Sequence, residues 1–389
     1  MEGRRHFLCG ALCGELAGFC RGEQTFFVPV MRSKTKLAVV RLFGAALLLA
    51  FTALAQTAAP WPEADRLFHS DPRWLGADAA FSVDLGRGRV LWLFGDSFVA
   101  SKPGQTRRQS RMARNTVAIQ AGYDPSTASI KFYWKARGSR SFFEDEGQNW
   151  FWPSHGVRIG ERLLLFYNVV KPSGMPGPFG FAEDGWTAFL ITNPDEEPPR
   201  WNIRKLDVPR NPWQILVGIA VVREGDQLYL WAADEPKHDA YLLRVSVADA
   251  AKGDLAAMEW WCGERRGWRV QDQIDGRPEP VFLQGSTEFS VHYDPARGRY
   301  LQVQSAGFGG SDISLRSADR LTGPWTPLRK IYHPPESDGP DPFVYAGKAH
   351  PELKGADLIV TYAANGKDSR LAADLTIYFP RFVKVQLGK

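Results

Sequence analysis

The sequence predicts an all-β protein, specifically a five-bladed β-propeller. Strand–turn–strand patterns recur along the chain, their short turns contain glycine, and helical periodicity is almost absent. The second strands begin near residues 91, 163, 228, 300 and 358, so the spacings are 72, 65, 72 and 58 residues. A repeat of this kind is typical of propellers, whose blades are four-stranded sheets. A β-sandwich or a pair of smaller β domains is the alternative.

Five hairpins define the repeat, each with a strand, a turn that contains glycine and a second apolar strand, and the fifth is the least regular. They are Phe81–Asp84 with Val90–Phe94, Gly156–Ile159 with Leu163–Tyr167, Ile219–Val222 with Leu228–Trp231, Phe289–Tyr293 with Tyr300–Gln304, and Ala349–Leu353 with Leu358–Tyr362. Further strand-like segments between the hairpins would supply the outer strands. The best helix candidate, Val247–Met258, is short.

Residues 1–55 are predicted to be a leader rather than part of the fold. Basic residues after Met31 precede an apolar run, Leu42–Leu54, and Ala53 and Ala55 form a small-residue cleavage pattern. We expect translation to start at Met31, cleavage near Ala55 and an exported protein, either secreted or periplasmic. The alternative is an uncleaved N-terminal anchor, although the apolar run is shorter than the ~20 residues that span a bilayer. Residues 56–389 would then form a single propeller domain.

Removing the leader changes what charge and cysteine content imply. Residues 1–55 hold seven of the 48 Lys and Arg residues and three of the 43 Asp and Glu residues, which leaves a net charge of about +1. No basic stripe for nucleic acid remains. Three of the four cysteines also lie in the leader, so Cys262 has no partner for an internal disulfide. A buried structural thiol is the preferred interpretation of Cys262.

The most informative spacing concerns two aspartates at the open end of the first hairpin. Asp78 and Asp96 lie nine residues before and nine residues after Arg87, which is at the centre of the turn. Regular strands would place the two carboxylates opposite each other, an arrangement that is unfavourable for like charges. One carboxyl would then have its pKa raised by the other, which is the pairing of acid and base that a glycosidase uses. The alternative is that both are ordinary turn residues.

The repeat brings further polar residues towards the same rim. Glu288 opens the first strand of the fourth hairpin, as Asp78 opens that of the first, and His155 has a similar place in the second hairpin. Asp234 follows the second strand of the third hairpin, as Asp96 does in the first. Trp152 precedes the His155 loop and would stack on sugar rings if exposed. The alternative for each is a solvated loop residue.

Several stretches resemble the family described as domain of unknown function 4185. They include Leu91–Phe98, Arg114–Thr116, Phe151–Pro153, Glu288–Ser290 and Tyr345–Glu352. The resemblance covers nearly all of residues 56–389. Members include glycoside hydrolase family 183, the endo-D-arabinanases that cut the D-arabinan of mycobacterial cell walls. The family pattern commonly has Thr where Ser97 stands and Ser where Thr116 stands.

The resemblance implies a five-bladed propeller with an acidic pair in its first blade. Asp78 and Asp96 match that pair, and Asn115, His155 and Trp152 would line the site. The predicted function is an exported glycoside hydrolase, endo-D-arabinanase-like, that cleaves a furanose-containing polysaccharide. Glu288 would adjust a pKa or bind a sugar hydroxyl.

Two other functions fit the same residues. One is a non-catalytic glycan-binding propeller, which would keep the aromatic residues without needing the acidic pair. The other is a related furanosidase that acts on another polymer. We expect a monomer with no cofactor, no nucleic-acid partner and no stable membrane insertion; a calcium ion in a propeller channel would be possible, but no motif indicates one.

Overall fold

The computed structural model describes residues 56–175, 180–235, 237–307 and 309–388; the predicted leader lies outside them. The strands, in chain order, are β1 Thr57–Pro60, β2 Trp74–Ala77, β3 Phe81–Gly86, β4 Arg89–Phe94, β5 Ser97–Val99, β6 Arg111–Ala113, β7 Thr116–Ala121, β8 Ser129–Tyr133, β9 Trp150–Ile159, β10 Arg162–Pro172, β11 Phe181–Ile191, β12 Ile203–Leu206, β13 Ile215–Glu224, β14 Gln227–Asp234, β15 Ala240–Ser246, β16 Glu259–Trp261, β17 Trp268–Val270, β18 Phe289–Asp294, β19 Arg299–Ala306, β20 Asp312–Ala318, β21 Arg329–Tyr332, β22 Val344–Ala349, β23 Leu358–Ala364 and β24 Arg381–Gln386.

Helices in the described residues are short. The α-helices are α1 Pro62–Asp65, α2 Val247–Lys252, α3 Gly263–Arg266 and α4 Asp368–Ala373, and 3-10 turns cover Arg66–His69, Arg107–Gln109, Pro198–Arg200, Gln271–Gln273 and Pro335–Asp338. The best predicted helix ends earlier than expected, at Lys252. Its C-cap is Gly253 in the left-handed conformation (φ 77°), which terminates the helix before Met258.

The described strands form antiparallel sheets, which confirms the all-β prediction. Five sheets have four or five strands, in the orders β3-β4-β7-β8, β12-β11-β10-β9, β13-β14-β15-β16-β17, β18-β19-β20-β21 and β1-β24-β23-β22. A small sixth sheet, β2-β5-β6, adjoins the first hairpin. The fifth sheet pairs β1, the first described strand, with β24, the last. No local sequence pattern predicts that pairing.

Each of the five large sheets packs against two others through separate apolar clusters. The cluster around Phe68, for example, joins the first sheet to the fifth: its ring stacks on Phe382 at 5.1 Å and meets Trp92 edge-on at 5.0 Å. Four comparable clusters join first to second, second to third, third to fourth and fourth to fifth. Alternating side chains on each strand supply both faces, so every large sheet is covered on two sides.

The predicted hairpins agree with the structure except in the fifth. The first four predicted hairpins lie within β3–β4, β9–β10, β13–β14 and β18–β19, respectively, and the second and third are longer than predicted. In the fifth hairpin, the first strand is β22, Val344–Ala349, rather than Ala349–Leu353. A turn follows Ala349 because Pro351 cannot donate to the ladder.

Candidate functional site

Asp78 is held where the chain crosses from β2 to β3. The next two residues, Ala79 and Ala80, both have positive φ (63° and 57°), a conformation unfavourable for residues with a Cβ. The Asp78 carbonyl accepts hydrogen bonds from the backbone N–H groups of Ala80 (2.9 Å) and Gly95 (3.3 Å). Strained backbone of this kind persists where the surroundings enforce it and is concentrated at functional sites.

Asp96 lies across from Asp78. The pairs Ala77↔Ser97 and Phe81↔Leu93 flank the two aspartates and share one register, although the ladder itself is interrupted between them. A Cβ added at Gly95 would collide with the Asp78 Oδ1 atom, so the residue before Asp96 must lack a side chain. Asp78 and Asp96 therefore lie opposite each other, as the spacing predicts, because two short ladders flank them and Gly95 leaves room for the Asp78 carboxyl.

Two tyrosine hydroxyls contact the Asp78 carboxyl. Its Oδ2 atom lies 2.7 Å from the Tyr345 hydroxyl and 3.1 Å from the Tyr378 hydroxyl. Asn365 donates to the Tyr345 hydroxyl, which leaves the Tyr345 proton for Asp78. Tyr378 also lies 2.9 Å from the Asp96 carbonyl, and one phenol proton cannot fully serve both acceptors. Tyr378 therefore donates less completely to Asp78 than Tyr345 does.

The electrostatic surroundings of Asp78 favour its protonated form. Burial, followed by the negative charges of Asp96 and Glu288, raises the pKa of Asp78 to about 7, against the opposing effect of the two tyrosine hydrogen bonds. Desolvation disfavours the charged form of any carboxyl, and a neighbouring anion adds to that effect. Asp78 is consequently an acid that can still hold its proton near neutral pH.

Asp96, unlike Asp78, is paired directly with a cationic side chain. Its Oδ2 atom pairs with the Arg114 guanidinium at 3.1 Å, and its Oδ1 atom accepts from the Trp152 indole at 2.9 Å. Burial raises the pKa of Asp96, and Arg114 and Trp152 both oppose that rise. The guanidinium in turn lies over the Trp150 ring, 4.3 Å from its centroid. The two carboxyls therefore have different environments, and Asp96 is the one equipped to carry negative charge.

Glu288 belongs to the same group of charges. It accepts from the Lys348 ammonium at 2.9 Å, and its charge contributes to the raised pKa of Asp78. Burial lowers the pKa of Lys348, while Glu288 acts in the opposite direction.

The remaining predicted site residues have structural partners. His155 lies on β9, where Nδ1 accepts from the Val221 N–H and Nε2 lies 3.0 Å from the Ser82 carbonyl, and burial lowers its pKa to about 4. Asn115 is buried and binds the backbone of Phe143 and Phe151. The structure does not bring either side chain to Asp78 or Asp96.

Asp234 is likewise occupied. It is 4% exposed, pairs with the Arg277 guanidinium and accepts from the Asp239 N–H at 2.8 Å. Trp152, in contrast, reaches the acidic pair directly through its bond to Asp96. Of the seven predicted residues, the structure brings together Asp78, Asp96, Glu288 and Trp152.

A cavity of about 1480 Å³ lies next to this group, because two residues that contact the group line the cavity. Tyr345, the donor to Asp78, lines it, and so does Phe181, whose ring meets that of Trp152 edge-on at 4.6 Å. Glu183 also lines the cavity, and burial raises its pKa to about 7. The lining combines aromatic faces with charged and amide groups, the composition of sites that bind polar ligands with apolar faces.

Sequence reasoning missed four members of the site: Arg114, Tyr345, Lys348 and Tyr378. Tyr345 and Lys348 lie in a stretch singled out by the family resemblance, and Arg114 in another, but no spacing marks their roles. Tyr378 follows α4 at positive φ (64°) and carries no pattern in the sequence.

Two negative findings apply to the described residues. Within them, no group of three or more His, Cys, Asp or Glu is arranged to hold a metal ion. None of their helices is long and apolar enough to cross a membrane.

Solved structures resemble this chain at low sequence identity, and the first of those below shares its fold. A protein from Bacteroides ovatus ATCC 8483, described as a "putative hydrolase", superposes with a TM-score of 0.65 at 15% identity, over 85% of this chain and 90% of that one. The catalytic domain of the Coprinopsis cinerea GH62 alpha-L-arabinofuranosidase gives 0.46 at 12% identity, over 85% and 96%. The endo-arabinase of Bacteroides thetaiotaomicron VPI-5482 gives 0.42 at 13%, over 81% and 95%.

No curated protein matches the sequence. The family model that matches is DUF5005, described as a domain of unknown function, and it covers residues 63–387. This corrects the family expectation, because the matching model is not that of domain of unknown function 4185, and a relation to glycoside hydrolase family 183 is not shown. The chain belongs to the DUF5005 family.

Proposed function

We propose that this protein is a glycoside hydrolase in which Asp78 and Asp96 are the reacting carboxyls. The observation that carries the proposal is the unequal environment of the two carboxyls; the cavity is lined by Tyr345, which donates to Asp78, and not by the carboxyls themselves. Asp78, with its pKa raised to about 7, would protonate the departing glycosidic oxygen. Asp96, paired with Arg114, would act as the base or nucleophile. Hydrolysis of a glycoside needs one carboxyl of each kind.

The proposed fold is a closed five-bladed β-propeller. Five sheets, each packed against two others through separate clusters, support that arrangement. The pairing of β1 with β24 would close the ring, since it joins the two ends of the described chain in one blade.

The proposed substrate is a furanose-containing polysaccharide, with an endo-D-arabinanase-like reaction as the specific case. The cavity, about 1480 Å³, exceeds the ~300–1,000 Å³ of ordinary small-molecule sites, which favours several sugar units over one. Aromatic rings of Phe181, Trp186, Phe343 and Tyr345 line it and would face the apolar sides of sugars. Export and a monomeric state remain part of the proposal, and both need their own measurements.

The test is release of reducing ends from a polymer panel that includes D-arabinan, L-arabinan and levan. Asp78→Asn and Asp96→Asn are compared with wild type, and Asp65→Asn serves as the matched control. Burial raises the pKa of Asp65 to about 6, but its Oδ1 atom accepts from the Phe382 N–H at 2.7 Å, away from the acidic pair.

The proposal requires release from at least one polymer, abolished in both site variants and retained in the control. A folded wild-type protein that releases nothing but is retained on a glycan column would instead support a glycan-binding module.

A further inference from the structure

Lys348 is a buried cation beside the acidic pair with no place in the proton transfers. Its side chain is 2% exposed. The ammonium donates to three acceptors, the Ala79 carbonyl, the Ala346 carbonyl (2.7 Å) and Glu288 Oε2 (2.9 Å). An ammonium has three protons, so its donor capacity is fully used. No donor remains for a substrate.

Two of these acceptors belong to unusual backbone. Ala79 directly follows Asp78, Ala346 directly follows Tyr345, and both alanines have positive φ (63° and 58°). Left-handed conformations are unfavourable for residues with a Cβ and persist only where other contacts hold them. A single ammonium therefore binds both strained segments that carry the acid and its phenol donor.

We propose that Lys348 is a positioning residue, which rests on the proposed function: by binding the Ala79 and Ala346 carbonyls, it holds Asp78 and Tyr345 in the geometry of their shared hydrogen bond. One ammonium binds the Ala79 carbonyl on the β2–β3 crossing and the Ala346 carbonyl on β22, so the acid and the phenol keep their relative positions. Glu288 is the counter-ion that keeps this centre charged.

A variant that lacks one member of the Lys348–Glu288 ion pair is expected to be less stable than a variant that lacks both. Removing one member of a buried pair leaves an uncompensated charge, whereas removing both often leaves stability nearly unchanged. This difference separates a positioning role from a purely structural one. The test compares Lys348→Met, Glu288→Gln and the double variant Lys348→Met/Glu288→Gln.

We expect Lys348→Met to lower both the melting temperature and kcat, with kcat falling by about 100-fold, since misplacement by ~1 Å has that effect. Glu288→Gln leaves the two carbonyls bound and loses less than about tenfold in kcat. The double variant regains most of the melting temperature but keeps the low kcat, with KM changed far less than kcat.

The control is Lys131→Met, which removes an exposed ion pair to Glu197 and should leave melting temperature and kcat unchanged. Recovery of kcat together with melting temperature in the double variant would overturn the proposal. So would a loss of kcat in Glu288→Gln as large as in Lys348→Met, because the effect would then belong to Glu288.

A second readout does not depend on activity. The Asp78 carboxyl is titrated by carbon NMR, with its signal assigned from its absence in Asp78→Asn. In the double variant the effects of the lost positive and negative charges on Asp78 largely offset each other. An Asp78 pKa about half a unit above that of wild type would therefore report loss of the Tyr345 hydrogen bond. An Asp78 pKa in the double variant equal to that of wild type would contradict the positioning role. If wild type hydrolyses no polymer, the proposed function fails while this titration still decides the role of Lys348.

Discussion

The described residues include two polar groups in largely buried surroundings, and their contrast explains why only one is suited to acid–base chemistry. The acidic group, Asp78 with Asp96, is surrounded by full charges, namely Arg114, Lys348 and Glu288. The histidine group, in which His350 bridges Ser82 (2.6 Å) and Thr361 (2.7 Å), also contains His155 and His292 and is held in neutral form.

Burial acts on both groups but leaves them in different states. It lowers the pKa of His155 and of His292 to about 4, so both are neutral at pH 7. It raises the pKa of Asp78 to about 7, where proton gain and loss are both accessible. A buried group without a counter-ion becomes neutral, whereas a group within a charge network stays poised to exchange a proton. The neutral histidine group stabilises the fold, and the acidic group can transfer protons.

The largest expected effect separates the two groups by activity. Asp96→Asn should lower kcat by about 10²–10⁴-fold, the usual contribution of a positioned acid or base. Glu352→Gln, near Ser82 in the histidine group, should change kcat less than about threefold on the same basis. Steady-state kinetics on the cleaved polymer measures both. Equal losses in the two variants would remove the distinction between the groups.

Tyr378→Phe should have a smaller effect, and one that depends on pH. The Tyr378 hydrogen bond lowers the pKa of Asp78, so losing it should raise that pKa and move the alkaline limb of kcat upward by about half a unit. The matched control is Tyr123→Phe, whose hydroxyl bonds to Asp84 at the surface. An alkaline limb that stays in place, or moves downward, would show that Asp78 does not set it.

In the histidine group, the expected effect is on stability. His155 has a folded pKa of about 4, below its unfolded value, so its contribution is present above pH 6.5 and is lost as pH falls towards 4. The difference in unfolding free energy between wild type and His155→Gln should shrink by about 2 kcal/mol over that range, as measured by chemical denaturation.

His333→Gln provides a control of opposite sign. The hydrogen bond to Asp312 raises the pKa of His333, so its contribution is present at low pH and lost as pH rises through the folded pKa. If the two variants respond to pH in the same direction, His155 is not held neutral as described.

An effect of similar size on stability is expected for Glu352. Burial raises its pKa to about 7, so its contribution to stability is present below the unfolded value near 4.5 and is lost as pH rises through 7. Relative to wild type, Glu352→Gln should therefore gain about 2 kcal/mol in unfolding free energy between pH 5 and pH 8. Thermal unfolding at both pH values measures the difference.

Sequence patterns predicted most of the fold because strand alternation and glycine turns are local signals. The hairpin around Arg87 formed as predicted, since apolar alternation fixes the register and Arg87 itself adopts positive φ in the turn. The fifth hairpin was misplaced because its first strand was predicted over Ala349–Leu353, which Pro351 interrupts. The pairing of β1 with β24 joins residues more than 300 positions apart, and no local pattern signals it.

The site was only partly predictable for the same reason. Asp78 and Asp96 belong to one hairpin, so counting from its turn identified them. Tyr345, Lys348 and Tyr378 come from the far end of the chain and reach Asp78 only after the sheets pack. His155 and Asp234 lie at the positions that the repeat predicts. Position along a strand, however, does not reveal that the His155 side chain bonds backbone groups or that Asp234 pairs with an arginine.

The measurement that tests the central claim most directly is the pH dependence of reducing-end release by wild type, Asp78→Asn and Asp96→Asn. The account predicts release whose alkaline limb lies near pH 7, where Asp78 loses its proton, and almost no release at any pH in either variant. Release at wild-type rates by either variant would contradict the assignment of Asp78 and Asp96 as the reacting pair.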